Sequence, residues 1–420
     1  MIWRRCFTIG TITNLLRGLR GKADGLWHSY RLTRGRITLG CDADPAGDLA
    51  GNLHKAIHAL PRLPTTTDDE RICETIRRDT AACNRNNVTR TAAYWSMYRS
   101  CPELHWAFLA HLVSRNGGWN MTDLRGQWLP QLMDENLIVA SFDFLEASNS
   151  FIFGDAYPQL MLYAESKRTG RNLFALLPRF GVSSFMAPFW NRFWVDRNPV
   201  PLTEALIVNE QHYIQSRVIE NDGFRKSVID SLPYRIQPYL QSNQAIIPLW
   251  RKGYAGSAVP MRLAGRVLER FEDLRERIEF GKSLYRLLFS YPRVLRAAAA
   301  FARHVPHTGS RADYWPHRFA PSKNGGTSAE SDIAAVGSRS SLWLSPALTE
   351  AWPDRKLPTS RERDWFGDPE EALSFLRPIR PPLVIDMTHE HLFCQYKLQS
   401  AALLERSFIN GANKRRTGLG

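Results

Sequence analysis

Apolar residues recur at spacings of three and four from about Asp69 to Val305, and this rhythm restricts the chain's fold more than any other feature. Positions i, i+3, i+4 and i+7 share one helix face, whereas a strand needs strict alternation. Leu104, Phe108, His111 and Leu112 form one such stripe. Leu137, Ser141, Phe144, Leu145, Ser148, Phe151 and Ile152 form another. Only "RITL" (36–39) and "PLVID" (382–386) read as strands. The expected fold is mainly α, a large helical domain with few or no strands.

Punctuation then sets boundaries. A helix is expected from Thr89 or Arg90 to Arg99, and the next from Pro102, where proline suits a first turn. Gly117-Gly118 reads as its C-terminal stop and Asn120 with Asp123 as the cap of a further helix. Gly154-Asp155 reads as an interruption, with Asp155 capping a helix from Tyr157 to Lys167 that ends at Gly170. "NLFALL" makes a short helix closed by Pro178. Later helices are expected from Thr203 to Glu220, with Thr203 as cap, from Arg262 to Leu288, and from Arg293 to Val305. The expected division is a basic, partly irregular region at 1–68, a helical core domain at 69–319, a Ser/Gly-rich flexible loop or linker at 320–342, and a C-terminal extension at 343–420 packed on the core.

The formal charge of +14 is concentrated at the ends. Residues 1–40 hold eight Lys/Arg against Asp24, residues 401–420 hold four against Glu405, and the body between is nearly neutral. A nucleic-acid-binding fold usually carries its basic charge on the folded body, so nucleic acid is not the expected partner. Trp3, Ile9, Ile12, Leu15, Leu16 and Leu19 interleave with the N-terminal cations. That mixture suits either an anionic membrane surface, through residues 1–40, or a poorly ordered basic arm. No apolar run reaches the length of a spanning helix, and the N-terminus makes a poor secretory signal. Six cysteines without a CxxC pair read as reduced thiols, which fits a cytoplasmic protein.

Common catalytic signatures are missing. "FGKS" at Phe280–Ser283 ends like a phosphate-binding loop, but Glu276 stands where its first glycine belongs. No zinc-spaced cysteine set, HExxH or GxSxG occurs, and no metal site or cofactor is assigned.

Four polar segments are candidates. "RNGGWN" (115–120) could hold a phosphate or carboxylate on backbone N–H groups with Arg115 or Arg125 supplying full charge, or could simply be two helix caps. "RHVPHTGSRADYWPHRF" (303–319) could orient a histidine with Asp313 and fix an anion with Arg311, could ligate metal through His304, His307, His317 and Asp313, or could be a loop of salt bridges and stacked rings. "NEQHY" (209–213) puts Asn209 and His212 on one helical stripe and Glu210, Tyr213 and Arg217 on its neighbour, with a structural Glu210–Arg217 interaction as the plain alternative. "GDAYPQL" places Asp155 as a cap or a catalytic carboxylate.

Six segments in this order carry a resemblance: "NVTRTAAYWSMY", "HWAFLAHLVSRNGGWNMTDL", "GDAYPQLMLYAES", "NEQHYIQSRVI", "FEDLRERIEFGKSLY" and "HTGSRADYWPHRF". Together they resemble an uncharacterised bacterial family, domain of unknown function 2515, over about residues 70–320 and towards Asp364–Phe366. The resemblance implies no reaction. It implies that these polar segments belong to one domain.

The expectation is one polar cleft that could bind an anionic small molecule or perform acid–base hydrolysis. His307, Asp313, His212 and Glu210 would be its catalytic groups, and Arg311, Arg115, Asn116, Trp119, His111 and Tyr314 its ligand-binding groups. The alternative is a non-enzymatic scaffold or a peripheral membrane-associated interaction protein.

Overall fold

The three-and-four rhythm folds as helices. The computed structural model describes residues 2–40, 46–58, 66–229, 244–253, 260–322, 342–356 and 363–416, with 2–17, 46–48, 229 and 408–416 described by backbone alone. In chain order the helices are α1 (Ile2–Thr33), α2 (Ala46–His58), α3 (Thr67–Cys83), α4 (Asn87–Ser100), α5 (His105–Asp123), α6 (Glu135–Thr169), α7 (Met186–Asp196), α8 (Pro199–Ile214), the single turn α9 (Asp222–Phe224), α10 (Leu274–Phe289), α11 (Pro292–His304), the single turn α12 (Leu348–Ala351), α13 (Pro369–Phe375) and α14 (Thr388–Arg416). Strands β1 (Gln244–Leu249) and β2 (Arg262–Val267) pair antiparallel, and β3 (Phe319–Ala320) and β4 (Trp343–Leu344) pair parallel. The chain is mainly α.

Local chemistry sets several ends. Reciprocal capping boxes open α3 at Thr66/Asp69 and α4 at Asn86/Thr89. Gly170 closes α6 in the left-handed conformation at φ 69°. α5 runs between α4, α6, α8 and β1, and α6 packs against α3, α4, α5 and α8. Among the described helices, α6 alone has the length and mean hydropathy (1.2) of a membrane-spanning helix. Here it lies in the core, with Glu146 and Asp155 buried along it.

Several sequence boundaries are corrected. α5 runs through Gly117-Gly118 to Asp123, so these glycines are not a cap. The reason is tertiary: a Cβ on Gly118 would lie 2.5 Å from both Asn87 Oδ1 and His307 Nε2. Asn120 is interior to the helix, where its Oδ1 accepts from Arg311. α6 likewise runs through Gly154, Asp155 and Pro158, so Asp155 caps nothing. The 3-10 turn Phe174–Phe180 continues past Pro178. The cap of α8 is Asn198, with Thr203 buried inside the helix, and α8 gives way after Ile214 to a π-helical turn, Gln215–Ile219.

The expected helix from Arg262 is a strand over Arg262–Val267, and α10 starts only after its cap, Asp273. Gly265 permits this pairing, because a Cβ there would lie 2.2 Å from the Ala245 carbonyl oxygen. "RITL" forms no strand; Ile37 N–H donates to the Ser290 carbonyl. "PLVID" contributes a single bridge, Asp386 with Ala264. Region 1–68, expected to be partly irregular, contains α1 and α2. The proposed linker falls largely on residues 323–341, outside the described residues. Cys73, Cys83, Cys101 and Cys394 are free thiols.

Candidate functional site

The polar segments gather at two ends of α5. At its C-terminal end, Asn87 Nδ2 donates to the Ser114 carbonyl (2.9 Å), leaving Asn87 Oδ1 to accept from His307 Nε2 (2.9 Å) across Gly118. His307 Nδ1 lies 3.4 Å from Asp313 Oδ2, and both side chains are enclosed, at 4% and 6% exposure. Thr308 holds Asp313 through its N–H (3.0 Å) and hydroxyl (2.6 Å). Burial pushes the His307 pKa down, with Asp313 opposing. Burial pushes Asp313 up, but nearby His307 and the bonds from Thr308 prevail and hold it below its usual value. This is a histidine–carboxylate pair whose outward nitrogen is already bonded to Asn87. A dyad that works on a substrate needs that nitrogen free.

The neighbouring residues serve as locks. His111 Nδ1 donates to the Thr91 carbonyl (2.9 Å), so its Nε2 accepts from Arg115 Nε (3.2 Å). Burial and then Arg115 keep His111 well below its usual pKa, and burial brings Arg115 to about 10. Arg115 also donates to the Val305 carbonyl and lies over the Phe301 ring. Asn116 bonds both backbone groups of Ile246, donating to its carbonyl (2.8 Å) and accepting from its N–H (2.9 Å), which fixes β1 against α5. Trp119 packs on Tyr314, with ring centroids 4.6 Å apart, and reaches Asp313 at 3.5 Å. Arg311 grips Asp123 with Nε (2.8 Å) and a terminal nitrogen (2.6 Å), and donates to the Tyr314 hydroxyl (2.6 Å). Burial opposes the Arg311 charge, but Asp123 and Tyr314 outweigh it and raise its pKa.

A different chemistry occupies the N-terminal end. Asp155 of α6 is buried; its Oδ2 accepts from Asn209 (2.6 Å) and Gln159 (2.9 Å), while its Oδ1 has no partner. Burial raises its pKa to about 7. Glu210 of α8 accepts from the Trp106 indole (3.1 Å) and from Gln211 (3.3 Å). Burial raises it to about 8, and the Asp155 charge adds to the rise. Buried Tyr94 is pushed well up by burial first, then by the Glu210 charge and, less, by that of Asp155. Residues 210–213 form a half-buried strip, so the surface reaches this cluster. His212 stacks on Trp365 at 3.9 Å, and burial lowers it to about 4. Trp365 in turn donates to Asn209 (2.9 Å). Arg217, expected opposite Glu210, lies over the Tyr213 ring at 3.8 Å.

The structure therefore brings His111, Arg115, Asn116, Trp119, His307, Arg311, Asp313 and Tyr314 together, and places Glu210 and His212 elsewhere. Trp106 and Trp119 are separated by roughly 20 Å of helix at 1.5 Å per residue. Asp155, weighed as a cap or a catalytic carboxylate, and Asn209, weighed as part of a polar stripe, lay outside the set assigned to the cleft, and Trp106 and Trp365 were given no role. Burial was the missing signal, since the sequence pattern made Asp155 a cap. Among the described residues, no group of three His, Cys, Asp or Glu is placed to hold a metal ion. A separate surface groove of about 400 Å³ lies between α3, α6 and the Phe174–Phe180 turn, lined in part by Arg77, Thr80, Arg179 and Phe180.

The model of a family described as proteins of unknown function, DUF2515, matches residues 82–394. The chain belongs to that family. Both clusters lie inside the matched span, and α1 lies outside it. A relative, the uncharacterised protein YppC of Bacillus subtilis (strain 168), is 43% identical over 238 residues, covering 57% of this chain and 71% of the relative. No solved structure matches the chain. Neither the family nor the relative is described with an activity.

Proposed function

We propose that this protein is an acid–base enzyme of hydrolytic type, working from Glu210 and Asp155. The observation that carries the reading is that both carboxyls are bonded by neutral N–H groups in a buried setting, which raises the pKa of Glu210 to about 8 and of Asp155 to about 7. A carboxyl tuned in this way can carry a proton at physiological pH and release it within one catalytic cycle. Protonated Glu210, on the half-buried strip, would give its proton to the leaving atom as that bond breaks. Ionised Asp155 would take a proton from water as the water oxygen bonds to the electrophilic centre. Trp106 orients Glu210, and Asn209 with Gln159 orients Asp155. In this reading the His307–Arg311 corner locks the fold, so the catalytic part first assigned to His307 and Asp313 passes to Asp155 and Glu210.

The test is a carbon-detected NMR titration of the Asp and Glu carboxyls, assigned with Asp155→Asn and Glu210→Gln, alongside hydrolysis of chromogenic ester, phosphoester and glycoside substrates. Two carboxyls titrating near neutrality, with turnover lost in Glu210→Gln, are expected. Titration of both in the ordinary range near 4 ends the proposal.

Binding of an anionic small molecule, the other half of the original expectation, has its own support in the α3–α6 groove. There Arg77 lies over Phe180 at 5.4 Å, and the buried Thr80 hydroxyl has no partner. Inorganic phosphate should raise the melting temperature of the protein and leave that of Arg77→Ala unchanged.

A further inference from the structure

We propose that α1 seats the protein on a lipid surface carrying anionic headgroups. A helix on a protein surface normally turns its large apolar residues inward. α1 does the reverse. Its buried positions Gly21, Gly25 and Ser29 are small and recur about one turn apart: a Cβ on Gly21 would lie 3.2 Å from the His389 ring, and Ser29 Oγ accepts from the N–H groups of Ile385 (3.0 Å) and Asp386 (2.9 Å), with His28 paired to Asp386 and Leu32 packed on the core beside them. Among its described side chains, four of the large ones face out, with Leu19, Leu26, Trp27 and Tyr30 each between 55% and 61% exposed. Leu383 and Val384, immediately before the segment that holds Ser29, are 67% and 56% exposed. Scattered exposed leucines are ordinary, but a run of aliphatic and aromatic residues along one helix calls for a covering surface.

Charge identifies that surface. Arg20, Lys22, Arg31 and Arg34 are exposed beside these residues. Asp24, the only acid in residues 1–40, is bonded to Arg262 (2.6 Å) and His389 (2.8 Å) of the body. The outward face therefore presents cations and apolar side chains without an acid. The Arg34 guanidinium lies 5.8 Å over the Tyr30 ring, and Trp27 packs 6.0 Å from the same ring. Tryptophan, tyrosine and arginine together suit the headgroup layer, where one end of each side chain is apolar and the other stays wet. A second copy of this chain would set the same cations against these, so like charge opposes self-pairing. Anionic headgroups complement the face in both respects.

The test is co-sedimentation of the full chain with phosphatidylglycerol–phosphatidylcholine vesicles and with pure phosphatidylcholine vesicles. Binding to the anionic vesicles alone, weakened by salt, is expected. The variant Leu26→Ser with Trp27→Ser should lose about tenfold in partitioning through lost apolar burial. Lys22→Gln with Arg34→Gln should lose about tenfold or more through lost charge. All four side chains are exposed, so an unchanged melting temperature will show that the fold is intact. Failure to sediment, or equal sedimentation of wild type and both variants, overturns the proposal. Concentration-dependent dimers abolished by Leu26→Ser with Trp27→Ser, without vesicle binding, would replace the lipid with a second copy.

Discussion

The two ends of α5 resolve the cost of burying a carboxyl in opposite ways. At the C-terminal end Asp123 faces the Arg311 guanidinium, and Asp313 is held by the Thr308 N–H and hydroxyl. At the N-terminal end Asp155 and Glu210 meet amide and indole N–H groups. A counterion keeps a buried carboxylate charged and fixes two elements together, whereas neutral donors leave protonation as the cheaper way to bury it. The same chemical group is thus fastened by a cation at one end and pushed towards its protonated form at the other.

The largest effect should come from breaking the fastener. Arg311→Ala leaves Asp123 without its cation and should cost about 3–5 kcal/mol in urea unfolding. Arg311→Lys should recover only part of this, since a single ammonium cannot reproduce the fork to Asp123, Tyr314 and Asn120. If Arg311→Ala unfolds like the wild type, the two ends do not differ as described.

A smaller effect separates the two glycines. Gly118→Ala pushes a methyl into Asn87 and His307 and should cost about 1–3 kcal/mol. Gly117→Ala meets only the side-chain end of Asn149, at 3.1 Å, and gains helix propensity. It should be neutral or stabilising by up to about 1 kcal/mol. Equal losses at both positions would restore the view that the pair acts as a cap.

The effect that depends most on pH belongs to the buried carboxyls: it is absent below about pH 4, develops up to about pH 7–8 and then levels off. Asp155 and Glu210 have folded pKa values raised to about 7 and about 8, so the folded state holds protons that the unfolded chain releases near pH 4. Their contribution is fully present below the unfolded pKa and is lost as pH rises through about 7 and 8. The neutral variants Asp155→Asn and Glu210→Gln should therefore gain stability relative to wild type between about pH 5 and pH 9, by a few kcal/mol at the alkaline end. His111, His307 and His212, whose pKa values are lowered, act in the opposite sense below about pH 6.5 and are common to all these proteins. A stability difference that does not change with pH would place both carboxyls with ordinary acids.

Much of the helical frame was legible in the sequence because apolar spacing is a local property. α4, α11 and the end of α6 at Gly170 follow from it directly. The misread features depend on residues far away in the chain. Gly118 exists for Asn87 and His307, Gly265 for the Ala245 carbonyl, and Asp123, read as a cap, for Arg311. The pairing of His307 with Asp313 was foreseeable within one loop. The enclosure of Asp155 between Gln159 and Asn209 was not, because nothing local distinguishes a buried helical aspartate from one that caps a helix.

The attachment of α1 has a consequence for synthesis. Its partners lie late in the chain: Arg262 for Asp24, Arg293 for the Arg31 carbonyl, Ile385 and Asp386 for Ser29, and His389 beside Gly21. α1 leaves the ribosome more than two hundred residues ahead of these partners and must wait for them before it can dock. During that interval its apolar side chains are open to chaperones or to the nearest membrane, so where the protein is made can influence where it settles.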